Sequence, residues 1–317
     1  MRGVRFLLFL GACFLDLSQL QADENFFERG LVLYNQNDWI NSQQPLRVAA
    51  KSGNKEAQYY LAESLRLANR YMTEESAGWY VAAAEQGDIF AMLRLSQNDD
   101  LCANSECGKD SKYWKGQAHK IASSQAKAGN GLAMQAMYYM TGSREWLVKA
   151  SSKGNAEAGY FLVKLVLSDS MNNGSGHALL SKDIRYHLER SAEGGDPHAM
   201  ALLSTILSEE KDYSQSRVWL DKCLLTSHYD CVLRLELIHQ HLLDECVALG
   251  YVPKKSSAYG LLLFRRDALG KEKTDSLLIE EFENSLSVDE KKEGVAFFEK
   301  WKKTHPPLSY HVRKFGF

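Results

Sequence analysis

The chain has 317 residues, of which 45% are hydrophobic and 25% are charged, as in globular proteins with a sizeable core. Its formal net charge is −2 and adjacent basic residues occur at most in pairs, which excludes the clustered basic face of a nucleic-acid-binding protein. Only five prolines interrupt a sequence rich in Ala, Leu and Glu, so the composition favours helices throughout.

The first 22 residues have the pattern of a secretory signal peptide. Arg2 and Arg5 precede an apolar run over residues 6–15, and the small residue Ala22 ends the segment. The run is shorter than the stretch of about 20 apolar residues that spans a bilayer. We therefore expect an exported protein that has no transmembrane segment.

Two processing routes remain open for this leader. Cleavage after Ala22 is one, and cleavage before Cys13, within a segment that resembles a bacterial lipobox, is the other. The lipobox route would leave a lipid anchor on Cys13, but the apolar Phe14 and Leu15 stand where a polar spacer is expected. The residues thus favour simple cleavage and a periplasmic location over an outer-membrane lipoprotein.

A short phrase recurs five times beyond the leader. It consists of Gly, then Asn or Asp, two further residues and Ala, at Gly53-Asn54…Ala57, Gly87-Asp88…Ala91, Gly129-Asn130…Ala133, Gly154-Asn155…Ala158 and Gly195-Asp196…Ala199. Glycine ends a helix in the left-handed conformation, and Asn or Asp caps the next helix. Each phrase therefore predicts a turn between two helices, and their repetition predicts a solenoid of helix pairs.

The second repeat carries a family resemblance. It rests on Glu56-Ala57-Gln58-Tyr59-Tyr60-Leu61-Ala62 and Gly78-Trp79-Tyr80-Val81-Ala82-Ala83-Ala84-Glu85-Gln86-Gly87. These residues resemble a Sel-one-like repeat, a relative of the tetratricopeptide repeat, and the resemblance extends over about residues 24–245. It implies an all-α fold, a right-handed superhelical solenoid of antiparallel helix pairs that binds other proteins.

The expected domain organisation has three parts. A signal peptide at 1–22 precedes the repeat solenoid at 23–250, and a helical C-terminal capping region follows at 251–317. The repeat phrase is absent from the last part, as expected where a solenoid needs an atypical terminal unit. Its aromatic end, from Tyr310 to Phe317, is interpreted as part of the cap, with contact to a partner as the alternative.

Two cysteines flank a sixth turn at Ser227-His228. Cys223 lies four residues before Ser227 and Cys231 four after it, where other repeats have small residues facing each other across the turn. This close approach and the expected export predict a disulfide between them. The same spacing resembles the cysteine-rich branch of the Sel-one-like family.

The other cysteines lead to less specific predictions. Cys102 and Cys107 lie in an insertion, where a disulfide is favoured over a metal site because no further Cys or His is near. Cys246 is unpaired, and two interpretations stay open: a buried inert thiol or a bond between chains.

The sequence contains no residue set that predicts catalysis or a cofactor. His239, His241, Asp244, Glu245 and Cys246 are the densest group of potential metal ligands, but no second group at ligand spacing accompanies them, so a solvated helix end is favoured. We therefore expect a protein that is not an enzyme and holds neither a metal nor a cofactor.

A binding surface is predicted on the first helix of each pair, which lines the concave side of such solenoids. Counting three and six residues from the repeated Ala selects Tyr60, Glu63, Arg94, Gln97, Tyr139, Phe161 and Lys164. Aromatic residues and Arg are common interface anchors, and packing between repeats is the alternative for each position.

Export and the family resemblance together suggest a function. Small exported Sel-one-like proteins resemble periplasmic immunity proteins that bind and neutralise secreted lipase-type toxins, so the expected partner is another protein of the phospholipase-toxin kind. The alternative is an envelope scaffold that assembles several partners, and a hydrolase is the third and less favoured hypothesis.

Overall fold

The computed structural model describes residues 24–97, 107–172, 181–240, 246–270, 274 and 277–315. The expected signal peptide at 1–22 and the lipobox residue Cys13 lie outside these ranges. Two compact units divide the chain, one up to Ile121 and one from Ala122 onwards. Among the described residues the fold is all-α, and the one bridge between extended segments joins His228 and Ser309.

The described residues of the first unit form five helices and the start of a sixth. They are α1 (24–35), α2 (Gln43–Lys51), α3 (Lys55–Asn69), α4 (Glu74–Glu85), α5 (Ile89–Ser96) and α6 (Ser111–Lys127), which continues into the second unit. The second unit adds α7 (Gly131–Thr141), α8 (Glu145–Ser152), α9 (Ala156–Asn172), α10 (Lys182–Glu193), α11 (Pro197–Glu209), α12 (Tyr213–Leu224), α13 (Tyr229–His239), α14 (Lys255–Leu269), α15 (Leu277–Asn284) and α16 (Val288–Thr304).

The five predicted turns are confirmed. Their glycines have φ between 86° and 93°, in the left-handed region that only glycine adopts freely. The following Asn or Asp accepts a hydrogen bond from the backbone N–H of the repeated Ala at 2.8–3.0 Å in every case. The same local chemistry therefore joins successive helices in both units.

Small and branched residues on the helix that follows each turn form the cores. In unit 1, Ala57, Leu61 and Leu65 of α3 pack against Leu46 of α2. In unit 2 the corresponding Ala199, Leu203 and Leu207 of α11 join a core that also receives residues of α14 and α16. Packing between consecutive helices confirms the expected solenoid of helix pairs.

The predicted Cys223–Cys231 disulfide is confirmed at the sixth turn. The two residues are buried, and their Cα atoms are 6.1 Å apart. Ser227 between them takes the position of glycine with φ 52°. Cys107 is buried and disulfide-bonded, whereas Cys102 lies outside the described residues.

Cys246 is a buried free thiol, as one of its two interpretations expected. His241, Asp244 and Glu245, the neighbours named with it as potential ligands, fall outside the described ranges.

The C-terminal region is helical only as far as Thr304. Its helices α14 and α16 cross closely, because a Cβ atom at Gly260 would lie 2.7 Å from the carbonyl oxygen of Gly294. The expectation of a helical region through residue 317 is wrong for residues 305–315, which contain no helix and in which His311 has a positive φ of 47°. Two prolines, Pro306 and Pro307, follow α16 and prevent its continuation.

None of the helices described here has the length and apolar character needed to cross a membrane.

Candidate protein-binding surface

The seven predicted binding residues differ in where the structure places them. In unit 1, Glu63 and Arg94 are buried, Tyr60 is half-buried and Gln97 is exposed. In unit 2, Tyr139 and Phe161 are half-buried on neighbouring first helices, and Lys164 is exposed. The expected exposure is therefore wrong for Glu63 and Arg94, which lie inside their unit.

Glu63 is the centre of a buried polar cluster. Its carboxylate pairs with the guanidinium of Arg94 and with that of Arg66 at 2.6 Å, and it accepts a hydrogen bond from the Tyr80 hydroxyl at 2.8 Å. Burial alone would lower the pKa of Arg94, but the carboxylate of Glu63 raises it. Because α3, α4 and α5 each contribute a group, the cluster joins three helices of unit 1, and the buried Glu63 and Arg94 are not accessible to another protein.

Tyrosines enclose this cluster. Burial and the neighbouring Glu63 raise the pKa of Tyr34, Tyr59 and Tyr80 well above the usual value. Tyr60 packs edge-on against Tyr34, with ring centroids 5.0 Å apart. The first-helix positions of unit 1 thus serve chiefly to join its repeats.

The first helices of unit 2 present a different surface. Tyr139 of α7 stacks on Phe161 of α9 with ring centroids 5.9 Å apart, and Tyr160 of α9 stacks on His198 of α11 at 5.1 Å. The sixth turn brings His228 within 4.5 Å of His198, measured between ring centroids. We call α7, α9, α11, the sixth turn and the start of α13 the first-helix surface of unit 2.

The chain's own residues 308–315, which we call the tail, lie on this surface. At one end the Ser309 N–H donates to the Ser227 carbonyl oxygen at 3.1 Å, and the Tyr229 N–H donates to the Ser309 carbonyl oxygen at 2.9 Å. At the other end the Tyr139 hydroxyl donates to the Phe315 carbonyl oxygen at 3.0 Å. Hydrogen bonds to the backbone of the tail therefore hold both of its ends.

Ring contacts connect the tail to α7, α9, the sixth turn and the start of α13. Tyr310 packs against Tyr229 of α13 at 4.7 Å between ring centroids, and His311 stacks on His228 at 5.7 Å. Further along, the Arg313 guanidinium lies 4.2 Å from the centre of the Phe161 ring. Phe315 meets the Tyr139 ring edge to face at 4.7 Å.

Acidic residues under the tail face its basic residues. Burial raises the pKa of Asp196 to about 7, while Arg313 acts in the opposite direction. Burial also raises the pKa of Glu157, opposed by a hydrogen bond from Gln135 and by the charges of Arg313 and Lys314. Arg313 of the tail therefore lies within electrostatic reach of two carboxyl groups of the surface.

The histidines at the tail are held in the neutral form. Burial lowers the pKa of His198 to about 4 and that of His228 to about 2, and the neighbouring His311 lowers both further. Burial lowers the pKa of His311 as well. The rings of His198 and His228 are therefore uncharged near neutral pH, although Asp196 lies 3.7 Å from the Nδ1 atom of His198 and Asp230 lies 4.0 Å from that of His228.

An open cavity of about 300 Å³ continues the first-helix surface beside the tail. Its lining combines apolar side chains with polar groups of both charges: Tyr160, His198, Ala201, Leu202, Thr205, Asp230, Cys231 and Arg234. The cavity is therefore large enough for an additional side chain of a bound protein.

The ligand chemistry in the described ranges does not favour a metal. Cys223, His228 and Cys231 bring potential ligand atoms within 4.8 Å of one another, but the two sulfur atoms are bonded to each other and are not thiolates. His239, part of the predicted ligand-rich segment, accepts a hydrogen bond from the Lys254 backbone N–H through Nδ1 at 3.3 Å.

Sequence reasoning selected Tyr139, Phe161 and Lys164 on this surface but missed the residues that join them to the tail. The missed residues are Tyr160, His198, His228, Arg313 and Phe315. A signal was present in the C-terminal sequence, since residues 308–317 contain three aromatic residues and two basic residues and no acidic residue.

Comparisons with known proteins find no matching family model and no matching curated protein. Two solved structures are similar to this chain. A protective antigen of uropathogenic Escherichia coli strains, which displays an SLR fold, is 16% identical with a TM-score of 0.35, and the match covers 92% of this chain and 79% of that one. A Sel1 repeat protein from Oxalobacter formigenes is 21% identical with a TM-score of 0.32, covering 63% and 84% respectively.

Proposed function

We propose that the protein is an exported protein-binding module whose partner binds to the first-helix surface of unit 2. The supporting observation is that this surface holds a non-helical segment, the tail, through aromatic contacts and through hydrogen bonds to the backbone of the tail. A surface with these groups can bind a segment of another protein through the same kinds of contact. No catalytic constellation was found in the sequence, so binding is the proposed activity.

In its specific form, the proposal is a periplasmic immunity protein that neutralises a secreted lipase-type toxin. This step rests on the leader-like N-terminal sequence and on the resemblance of the repeats to exported Sel-one-like proteins. The broader alternative is an envelope scaffold that binds several partners.

The test uses the chain beginning at Asp23, with its disulfides intact, as bait in a periplasmic extract of the native host. We expect one stoichiometric partner with lipase activity that is inhibited on binding. Phe161→Ala should abolish capture, because it removes the ring between Tyr139 and Arg313. Tyr186→Ala is the matched control, since this exposed ring lies on a second helix, α10.

Several weakly bound envelope proteins would replace the immunity proposal by the scaffold. Capture that is equally strong with Phe161→Ala would contradict the assigned surface.

A further inference from the structure

The tail has the properties of a bound peptide rather than of a core segment. It is anchored mainly at Leu308, Ser309 and Phe315, which are buried, whereas residues 310–314 remain partly accessible. Its contacts lie on α7, α9 and α11 and around the sixth turn, so it crosses successive first helices. Peptides bound to helical-repeat proteins use the same combination of an extended backbone and separated side-chain anchors.

The order of side chains along the tail matches the surface beneath it. Arg313 lies over the Phe161 ring near Glu157 and Asp196, and Phe315, two residues later, contacts Tyr139. A cation that lies over an aromatic ring and close to carboxyl groups is attracted by the negative face of the ring and by the negative charge of the carboxylates. The tail therefore presents a basic residue and, two positions later, an aromatic residue to the surface.

We propose that the first-helix surface of unit 2 is a site for an extended basic–aromatic segment of a partner protein, and that the tail occupies it as a competitor within the same chain. The inference deepens the proposed function and rests on it for the existence of a natural partner. A partner segment must displace the tail, so the unbound protein is autoinhibited.

Tethering decides how strongly the tail competes. A segment attached to the same chain by a short connection has an effective concentration in the millimolar range. The tail follows directly from α16 through residues 305–307, so a free peptide of the same sequence is at a large disadvantage. Weakening the contacts of the tail should therefore raise the affinity for a free peptide.

The cavity beside the tail gives a natural partner an advantage that the tail lacks. It shares Tyr160 and His198 with the first-helix surface, and Asp230 and Arg234 are also part of its lining. A partner segment with one additional side chain can contact these groups and so exceed the affinity of the tail.

The experiment measures binding of a fluorescent peptide of residues 308–317 to the full chain by anisotropy. Wild-type protein should bind it weakly. The double variant Arg313→Ala/Phe315→Ala should bind at least about tenfold more tightly, because the tethered competitor is weakened. Adding Phe161→Ala to this variant should remove the gain, whereas adding Tyr186→Ala should keep it.

Arg313→Glu provides a second route to the same result if the double variant does not fold. It places an acidic group near Glu157 and Asp196 and should also release the tail. Circular dichroism establishes folding, and a peptide of scrambled sequence measures non-specific binding.

A gain in peptide affinity that depends on Phe161 supports the inference. It would be overturned if a folded tail variant bound the peptide no better than wild type, or if Phe161→Ala left the gain intact. Because no natural partner is needed, this result is independent of the capture experiment: capture may fail while peptide binding succeeds, and that outcome contradicts only the proposed function.

Discussion

Corresponding repeat positions have different roles in the two units. Three residues after the repeated Ala, unit 1 has Arg94, which is buried in an ion pair, and unit 2 has Phe161, which contacts the tail. Six residues after it, Glu63 is fully buried whereas Lys164 is exposed. Repeat register thus sets the position of a side chain on its helix, but the neighbouring segments decide whether it is covered.

The largest loss of stability is expected from breaking the buried ion pair of unit 1. Glu63→Gln leaves the guanidinium of Arg94 without its counter-charge, and breaking such a pair costs about 3–5 kcal/mol of unfolding free energy. Urea unfolding measures this loss. Gln97→Ala, at an exposed position in the same unit, should change stability by less than about 0.5 kcal/mol.

Peptide binding to unit 2 should be unaffected by Glu63→Gln under conditions where the variant is folded. A small stability loss, close to that of Gln97→Ala, would show that Glu63 does not hold the repeats of unit 1 together.

Removing the disulfide of unit 2 is expected to cause the next largest loss of stability. Cys223 and Cys231 are eight residues apart, and closing a loop of that length contributes about 2.5 kcal/mol in the chain-entropy description. The double variant Cys223→Ala/Cys231→Ala should lose about this much in urea unfolding. Since the bond flanks the turn that binds Ser309, the same change introduced into Arg313→Ala/Phe315→Ala should lower the affinity of that variant for the free peptide.

The matched control for this prediction is Cys246→Ala, which removes a buried thiol that forms no disulfide. Peptide affinity that is unchanged by loss of the disulfide in Arg313→Ala/Phe315→Ala would contradict the role given to the sixth turn.

The histidines beneath the tail allow wild type and a tail variant to be compared through the pKa of His198. Burial lowers the pKa of His198 to about 4, so the ring stays neutral in the folded protein while it would protonate near 6.5 in the unfolded chain. This difference destabilises the fold progressively as the pH falls from about 6.5 to 4. Asp196, with its pKa raised to about 7, takes up a proton in the folded state and acts in the opposite direction.

The effects of His198 and Asp196 on stability oppose each other. The pKa of the His198 ring is therefore measured directly, by NMR titration. Wild type should titrate near 4, and Arg313→Ala/Phe315→Ala should titrate closer to 6.5 because the ring is less buried. Identical titration curves in both proteins would contradict burial of His198 by the tail.

The smallest losses of stability are expected at the helix-capping turns, which occur in both units. Asn54→Ala in unit 1 and Asn130→Ala in unit 2 each remove the cap of one helix, which costs about 1 kcal/mol. Substitution by Gly should cost only a few tenths of a kcal/mol. Markedly different losses for the two Ala variants in urea unfolding would show that the turns are not equivalent.

The turns and the Cys223–Cys231 bond could be predicted because their causes are local in sequence. Burial of Glu63 could not, because it depends on Arg94, 31 residues away, and on helix packing. The path of the tail was also missed, since Tyr139 and Phe315 are separated by 176 residues and an extended segment has no helical periodicity. Where contacts are distant, sequence pattern identified candidate positions but not their partners.

The most direct test of the central claim is to detect the tail on the first-helix surface in solution. We would replace Tyr310, whose ring lies 4.7 Å from that of Tyr229, by photoreactive p-benzoylphenylalanine and identify the intramolecular cross-links by mass spectrometry. The account predicts cross-links to the start of α13 that decrease with Arg313→Glu and with excess peptide of residues 308–317. Cross-links to other helices, or a yield that neither change affects, would contradict it.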